Sequence, residues 1–301
     1  MSETDLISVV MSVHNEAAYV AAAISSILAQ THEEFELIIV DDYSTDDSLE
    51  VCQSFADRRI RIHRKTDEPP HLSASRNLGV SMARGQYVAF QDADDECDAR
   101  RLEKQLAAAI EWPGRLVVGT GVRRVEGDLE TIMPLPQRHE NIVKGFERFR
   151  NRTTIVPGTI LAPTTVLEEV PYRLRFRYMQ DWDHILRLHE SKLVRFRNCP
   201  EPLYTYYIRP KGVIHQSEWL DYNLFVRNCQ SRRRRELPEF TTLKQFQLHL
   251  HSHPWDRCKW GAMRTLIGLN KAIKTARPAT SAAHSQYPPS ADRPHTPSTS
   301  H

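Results

Sequence analysis

Five carboxylate side chains fall within seven residues of one another in the segment YVAFQDADDECD, residues 87–98. The apolar residues Tyr87 to Phe90 come first and predict a short buried strand. The acids that follow are Asp92, Asp94, Asp95, Glu96 and Asp98. Like charges this close repel one another, and carboxylate oxygens are ligands that Mg²⁺ prefers. The segment therefore predicts a hard divalent cation at a strand end, with a phosphate-bearing ligand completing its coordination.

Two more polar clusters follow apolar runs earlier in the chain. Ser12 to Glu16 end the first run, and Asp41-Asp42 end the second. Taken singly, each cluster is also explained by helix capping, for which Asp and Asn are common. Ligands of open parallel sheets gather at the carboxyl ends of the strands, so three polar clusters at one edge favour a binding site.

The elements that must position these residues alternate between strand and helix. Apolar, β-branched runs predict four strands, and segments of helical period separate them. The predicted strands are Leu6–Val13, Phe35–Val40, Arg59–His63 and Tyr87–Phe90, and the predicted helices are Glu16–Gln30, Asp46–Phe55 and Ser73–Ala83. This alternation predicts an α/β fold with a Rossmann-like, mostly parallel central sheet flanked by helices.

After the fourth predicted strand, the alternation of strand and helix segments becomes less regular. A helix over Ala99–Trp112 and a strand over Leu116–Val122 are predicted first, followed by a loop or variable region to about residue 152. Further predictions are a strand near Thr159–Leu161, a helix over Asp181–Ser191, extended segments over Val194–Arg197 and Leu203–Ile208, and helices within 218–275. The last 26 residues contain five prolines and much Ser, Thr and Ala, which predicts disorder over 276–301.

Charge and cysteine content narrow the class of protein. The 301 residues carry 40 Lys and Arg against 38 Asp and Glu, a net charge of +2, which argues against a nucleic-acid partner. Five scattered cysteines without a CxxC favour a reducing cytoplasm. No signal peptide and no apolar run of about 18 residues is seen, so we expect a cytoplasmic protein. Peripheral contact with the inner face of a membrane, through the arginines of 232–235 with Arg209, Lys211 and Arg227, is the alternative to a solvated helix face.

Nucleotide-binding motifs restrict the ligand. No GxGxxG follows the first strand and no GxxxxGK[ST] occurs, which argues against a dinucleotide site and a P-loop. Instead, three blocks resemble family 2 glycosyltransferases of the GT-A fold, and EPLYTYYIR (201–209) extends the resemblance more weakly. The blocks are ISVVMSVHNEAAYVAAAISSILAQTHEEFELIIVDDYSTDDS, SASRNLGVSMARGQYVAFQDADD and MQDWDHILRL. The resemblance implies inverting sugar transfer from a nucleoside diphosphate sugar, with Mn²⁺ or Mg²⁺ as cofactor.

The resemblance also implies roles for particular residues. Ser12, His14 and Glu16 would contact the donor, Asp42 would accept the ring N–H of a uridine-type base, and Arg76 would face the diphosphate. Asp92 would face the ribose and the metal, Asp94 would bind the cation, and Asp95 would support the site or act as a further ligand. For Arg76, an ordinary surface arginine is the alternative.

The general base is the remaining requirement, and the resemblance places it at Asp181. Helix capping is the alternative, and Asp183 could share the duty. The sequence departs from the family pattern at four positions. Ser12 stands where proline is common, His14 where tyrosine is common, Tyr43 where glycine usually follows the acidic pair, and Gln180 where glutamate is usual.

These observations predict three segments and leave the acceptor open. Residues 1–215 would form the GT-A domain, with a nucleotide-sugar half to about 122 and an acceptor half from 123. Residues 216–275 would form a helical extension, and 276–301 a disordered tail. The acceptor would be a hydroxyl of a growing polysaccharide or a lipid-linked glycan. A catalytically silent nucleotide- or glycan-binding module and a nucleotidyltransferase are the alternatives, although Ser12–Glu16 lacks the glycine that the latter would want.

Overall fold

The structure is a computed structural model that describes residues 6–66, 69–112, 115–133, 135–147, 154–209 and 219–252, and the single residue 265. The strands are β1 (Ile7–Val13), β2 (Phe35–Asp41), β3 (Ile60–Arg64), β4 (Tyr87–Asp92), β5 (Glu96–Cys97), β6 (Leu116–Glu126), β7 (Leu129–Met133), β8 (Leu161–Pro163) and β9 (Arg195–Tyr207). The helices are α1 (Val20–Leu28), α2 (Ser48–Gln53), α3 (Leu72–Ser81), α4 (Arg101–Ile110), α5 (His139–Glu147), α6 (Thr164–Glu169), α7 (Gln180–Glu190), α8 (Trp219–Arg233) and α9 (Leu243–Ser252).

The first four predicted strands form a parallel sheet in the order β3–β2–β1–β4. Helices α1, α2 and α3 connect them in turn, as parallel neighbours require crossover connections. The predicted α/β class and the predicted βαβ units are therefore confirmed.

Beyond β4 the sheet mixes parallel and antiparallel pairs. β8 runs antiparallel to both β4 and β6, and β9 runs parallel to β6. The two-residue β5, which lies within the acidic segment, pairs antiparallel with β9. The end of β9 is thereby brought beside the acidic segment.

The predicted loop over 123–152 is wrong for much of its length. β6 continues to Glu126 and forms a hairpin with β7, and α5 follows. Gly127 takes the left-handed φ of +58° at the turn, and Arg123 pairs with Glu130 across the hairpin at 2.8 Å. Residues 129–132 of β7 are exposed, apolar and polar ones alike, so no buried face imposes the apolar alternation that predicts strands.

Side chains of the parallel strands alternate between two apolar cores, one on each face of the sheet. Val10 and Phe90 face the core shared with α3, α6, α7, α8 and α9, whereas Val9 and Ala89 face the core shared with α1 and α4. A strand buried on both faces reads as a continuous apolar run, which is why these strands were predictable.

The arginines that were considered as a membrane contact differ in burial and in ion pairing. Arg227 is buried, and Arg233 forms ion pairs with Glu190 and Glu239. Arg234 and Arg235 are exposed. None of the described helices has the length and apolar composition needed to cross a bilayer. Lys211 and the predicted tail, 276–301, lie outside the described residues.

Candidate active site

The carboxyl ends of β1, β2 and β4 lie side by side at one edge of the sheet. In the strand register Ser12 is the partner of Asp92, and Val13 is the partner of Asp41. The three polar clusters that the sequence places after these strands are therefore neighbours in space. The hydroxyl oxygen of Ser12 is buried and has no hydrogen-bond partner among the described residues.

Asp42 is buried between two groups that the sequence analysis did not select. The Lys65 ammonium lies 2.7 Å from Oδ1, and the backbone N–H of His71 donates to Oδ2 at 2.8 Å. Nδ1 of His14 donates to the carbonyl oxygen of Asp42 at 2.7 Å. The available signal for Lys65 was its position directly after the third strand, at the same sheet edge as the acids.

The loop after β1 is hydrogen-bonded to the loop after β2 and to the first residue of α2. The N–H of Asn15 donates to Ser44 Oγ at 3.1 Å, and the N–H of Glu16 donates to Ser48 Oγ at 2.8 Å. Burial, and then the charge of Asp94, raise the pKa of the Glu16 carboxyl to about 7. The loop thus brings Glu16 close to the acidic segment, and its contact with the donor stays a prediction.

Tyr43 occupies a backbone position that favours glycine. Its φ is +62°, in the left-handed region, where a Cβ costs roughly 1–2 kcal/mol. Its ring lies 5.9 Å from the Lys65 ammonium, so the side chain borders the Asp42–Lys65 pair. Tyr43 therefore adopts the left-handed backbone conformation that glycine would adopt at this position.

The acidic segment divides into side chains with different surroundings. Asp95 is buried, and its two oxygens accept hydrogen bonds from the Tyr204 hydroxyl and the Tyr207 N–H, both at 2.9 Å. Burial, followed by the charges of Asp92 and Asp94, raises the pKa of Asp95 to about 9. These two hydrogen bonds join the acidic segment to β9, and the role of Asp95 as a supporting residue or a further ligand stays a prediction.

Asp92 and Asp94 are the acids whose setting fits a divalent cation. Burial, and then the charge of Asp92, raise the pKa of Asp94 to about 6, so ionised Asp94 is destabilised by the repulsion that a cation would relieve. Within the described residues no three Asp, Glu, His or Cys side chains form a complete metal site. A pair of carboxylates fits Mg²⁺ or Mn²⁺ when ligand phosphates supply further oxygens.

Arg76 lies between two carboxylates of the site. Its guanidinium is 4% exposed, pairs with Asp92 at 2.8 Å, and forms a second, very short ion pair with Asp181. The rings of Phe90 and Tyr172 flank it at 5.5 and 5.3 Å. The predicted surface arginine is therefore wrong. The guanidinium pairs with two protein carboxylates, and its contact with the donor diphosphate stays a prediction.

Asp181 lies in the first turn of α7, next to the edge that carries the acids. Met179 precedes the helix with a left-handed φ of +60°, and no side-chain cap bond is formed by it. The Asp181 side chain is 25% exposed, and burial raises its pKa while Arg76 opposes this effect. Asp181, which the resemblance assigns as the base, is therefore linked to Asp92 by their shared partner Arg76. Its carboxylate accepts from Arg76 and does not cap the helix.

Asp183, considered as a partner in base catalysis, belongs to a separate cluster. It is fully buried and lies within 3.5 Å of arginines from three segments. These are Arg173, Arg187 and Arg233, with nitrogen-to-oxygen distances of 3.1, 2.9 and 3.5 Å. Its carboxylate is committed to holding α7 against α8 and the 171–178 segment.

The parallel strands, the acidic segment at their edge and the carboxylate on α7 define the GT-A class of glycosyltransferase fold. The sequence model named "Glycosyl transferase family 2" matches residues 8–170, more than half of the chain. The protein belongs to glycosyltransferase family 2 and is a glycosyltransferase.

Relatives with curated names support this membership. The chain is 35% identical to the putative glycosyltransferase EpsE of Bacillus subtilis over 216 residues, 68% of this chain and 73% of EpsE. It is 31% identical to the O-antigen biosynthesis glycosyltransferase WbnJ of Escherichia coli over 248 residues, 80% of this chain and 92% of WbnJ.

Solved structures share the fold at low sequence identity. The chain resembles S. aureus TarS 1–349 in complex with UDP-GlcNAc with a TM-score of 0.58 and 17% identity, over 75% of this chain and 66% of that one. The complex of TarS with UDP gives a TM-score of 0.56 and 19% identity, over 75% and 65%. At this level of identity the likeness concerns the fold.

Proposed function

We propose that the protein transfers a sugar from a nucleoside diphosphate sugar, UDP-linked, to a hydroxyl of a glycan or lipid-linked acceptor, with inversion at the anomeric carbon. The observation that carries this proposal is the arrangement around Arg76. One guanidinium pairs with Asp92, a candidate donor and metal residue, and with Asp181, the candidate base. Donor activation and acceptor deprotonation would thus occur at adjacent carboxylates.

The proposed reaction is a single displacement. The acceptor oxygen forms a bond to the anomeric carbon as the bond from that carbon to the diphosphate breaks. The acceptor proton passes to Asp181, whose carboxylate is made a stronger base by burial. The nucleoside diphosphate leaves with the bonding electrons.

The chain's own residues would orient the donor. Asp42, held by Lys65 and His71, is the proposed acceptor for the base N–H, and Ser12, His14 and Glu16 line the edge between it and Asp94. A divalent cation bound at Asp92 and Asp94 would supply charge stabilisation to the leaving diphosphate. TarS binds UDP-GlcNAc, and WbnJ acts in O-antigen biosynthesis, so a UDP-linked donor and a polysaccharide acceptor fit the relatives.

Turnover tests the proposal directly. The purified protein is given Mn²⁺, an acceptor extract of bacterial glycans and lipids, and UDP-, GDP-, TDP- and ADP-sugars in separate reactions, and released nucleoside diphosphate is measured. We expect acceptor-dependent release from a UDP-sugar. Release from a different nucleotide alone would contradict the assignment of Asp42 to uracil.

A silent binding module is the second candidate, and Gln180 is the observation that favours it. Gln180 replaces the family's usual glutamate, is buried, and its side-chain carbonyl oxygen has no hydrogen-bond partner among the described residues. The same panel separates the two functions. Tight binding of a donor without release against every acceptor fraction would support the module and contradict transfer.

A further inference from the structure

The segment 171–178, PYRLRFRY, leads directly into α7 and is held by two other parts of the chain. It carries Tyr172, whose hydroxyl oxygen lies 3.4 Å from Nη1 of Arg76. Met179 follows the segment with its left-handed φ, and Asp181, the proposed base, lies in the first turn of α7. The placement of this segment therefore sets where two partners of the Arg76 guanidinium lie.

Helix α3 and its N-cap residue, His71, hold the segment on the donor side. The side-chain amide of Asn77 exchanges two hydrogen bonds of 2.8 Å with the backbone of Tyr172. Nε2 of His71 donates to the carbonyl oxygen of Leu174 at 2.6 Å, while the backbone N–H of His71 donates to Asp42. The first half of the segment is thereby tied to the sheet edge that carries the candidate donor residues.

Glu239, in the connection between α8 and α9, holds the same segment from the C-terminal helices. Both of its oxygens accept from Nη1 of Arg173, at 3.1 and 3.0 Å, and it forms a second, very short ion pair with Arg175. Arg233 of α8 pairs with it at 2.9 Å. The Glu239 side chain is 17% exposed and the three arginines are 18–22% exposed, so solvent and salt screen these pairs only in part.

The ionic network around Glu239 has fewer carboxylates than guanidinium groups. Its carboxylates are those of Asp183, Glu190 and Glu239, and its guanidinium groups are those of Arg173, Arg175, Arg187, Arg233 and Arg234. Within the described part of the chain, Glu239 pairs with both Arg173 and Arg175, Asp183 pairs with Arg173, and Glu190 pairs with neither. Without the charge of Glu239, the two arginines of the segment would repel each other with no shared counter-ion.

From these contacts we infer that Glu239 is a positioning residue for the transfer reaction, which makes the helical extension a working part of the active site. This role rests on the proposed function, in which Asp181 is the base. Glu239 acts through Arg173 and Arg175 on the segment 171–178, and through that segment on the distance and angle between Asp181 and the acceptor hydroxyl. Proton transfer and attack depend steeply on this geometry, and a displacement of about 1 Å can cost about 10²-fold in rate.

Glu239→Gln and Glu190→Gln form a matched pair, because each removes one negative charge from the same network and one partner from Arg233. In Glu239→Gln we expect kcat with the UDP-sugar to fall about ten- to a hundredfold, with the Kd of UDP in Mn²⁺ unchanged, since the donor residues of β1, β2 and β4 are untouched. Glu190→Gln should keep both constants. Released nucleoside diphosphate and calorimetry measure them, at a temperature well below the Tm of each variant.

Hydrogen exchange of the ligand-free protein gives a readout that needs no turnover. Amides of 171–182 should exchange faster in Glu239→Gln than in the wild type and Glu190→Gln, with those of β1 and β4 unchanged. Arg175→Gln is a milder variant, because Glu239 keeps Arg173 and Arg233 as partners. Its loss of kcat should be smaller, and combining it with Glu239→Gln should lower kcat little further, as expected for two residues that act through one contact.

The outcomes separate this role from the function on which it rests. Equal losses of kcat in Glu239→Gln and Glu190→Gln would assign Glu239 to the general stability of the network and overturn its positioning role. Normal turnover by Glu239→Gln, or unchanged exchange over 171–182, would also overturn it and leave the proposed function standing. A wild type that releases no nucleoside diphosphate from any donor would overturn the proposed function and the positioning role together.

Discussion

At the scale of single residues, the site is governed by which carboxylates have protein partners. Asp95 is hydrogen-bonded to β9 and Asp183 to an arginine cluster, so neither is available to a substrate. Asp94 is partly exposed and crowded by Asp92, and Asp181 has one arginine partner and a side chain that is 25% exposed. Whether a carboxylate is available to a substrate therefore depends on its protein partners and its exposure, and the number of acids in the sequence does not reveal either.

Asp181→Asn is expected to lower kcat by roughly 10²- to 10⁴-fold, the usual contribution of a positioned general base. The donor Kd should change little, because the base contacts the acceptor. Asparagine keeps the size of the side chain and can still accept a hydrogen bond from Arg76. Steady-state kinetics and calorimetry with the donor measure the two constants.

Glu168→Gln is the control for Asp181→Asn, since Glu168 is an exposed acid on α6. Near-normal turnover by Asp181→Asn would place the base elsewhere. A loss of donor affinity equal to the loss of kcat would instead assign Asp181 to the donor site.

At the scale of the elements, α7 carries both the proposed general base and a buried structural carboxylate. Its first turn carries Asp181, its buried face carries Asp183 and His184, and its last residue, Glu190, pairs with Arg233 of α8. The ion pairs of Asp183 make Asp183→Asn unsuitable as a control for Asp181→Asn, because its loss would alter the stability of the protein.

Asp183→Asn is expected to lower the free energy of unfolding by about 3–5 kcal/mol, because it leaves buried arginines without their shared carboxylate. The lower end is favoured, since the arginine side chains are 16–22% exposed and two of them have Glu190 or Glu239 as further partners. Urea unfolding measures the change.

Glu111→Gln is the matched control, because Glu111 also pairs with an arginine, Arg197, at the exposed surface. An exposed pair contributes about 0–1 kcal/mol, so its loss should barely alter the urea midpoint. Equal midpoint shifts in the two variants would contradict the special position of Asp183.

His184 should make the protein sensitive to acid. Burial, and then the charge of Arg187, lower the pKa of His184 to about 3. Its Nε2 donates to the carbonyl oxygen of Val170 at 2.8 Å, and its ring stacks on the ring of Tyr172. The unfolded chain takes up this proton near pH 6.5 and the folded chain only near pH 3. The unfolded state therefore binds more protons in that window, and stability is lost as pH falls from 6.5 toward 3.

Urea midpoints of the wild type and His184→Gln between pH 7.5 and 4.5 check this prediction. The variant should be less stable at pH 7.5, because stacking on Tyr172 is lost, yet its midpoint should fall less steeply with acid. Parallel curves for the two proteins would assign the acid sensitivity to other groups.

At the scale of the whole molecule, the candidate active site lies where the parallel strands and β9 meet. β1, β2 and β4 supply the acids, whereas β9 anchors Asp95 and positions Arg209. Ligand that binds only the folded protein stabilises it by mass action, by about 2.7 kcal/mol at a hundredfold excess over Kd.

Mn²⁺ and UDP together are therefore expected to raise Tm by several degrees, and each alone by less, because the cation needs phosphate oxygens and the diphosphate needs the cation. Differential scanning fluorimetry with each ligand and with both measures the effect. Asp94→Asn should abolish the combined increase. If UDP in the presence of EDTA raised Tm as much as UDP with Mn²⁺, that result would contradict a donor bound through a metal ion.

The sequence by itself determined the α/β class, the parallel direction of the first strands and the edge at which the acids lie. Doubly buried strands are continuous apolar runs, and the chain direction of a βαβ unit fixes which strand ends meet. The family resemblance added Asp42, Asp92, Asp94 and Asp181 as expected site residues. The structure joins Asp92 and Asp181 through Arg76, with Asp94 next to Asp92 and Asp42 at the same sheet edge.

Only the tertiary structure decided how the charges are paired. Lys65 pairs with Asp42, Arg76 joins Asp92 to Asp181, and Arg209 donates to the carbonyl oxygen of Asp94, although 16 to 115 residues separate the partners in the chain. No periodicity records such contacts, because an arginine on a helix has the same local pattern whether it faces solvent or a carboxylate. Pairing depends on the crossing of strands and helices from distant segments, and that geometry exists only in the folded chain.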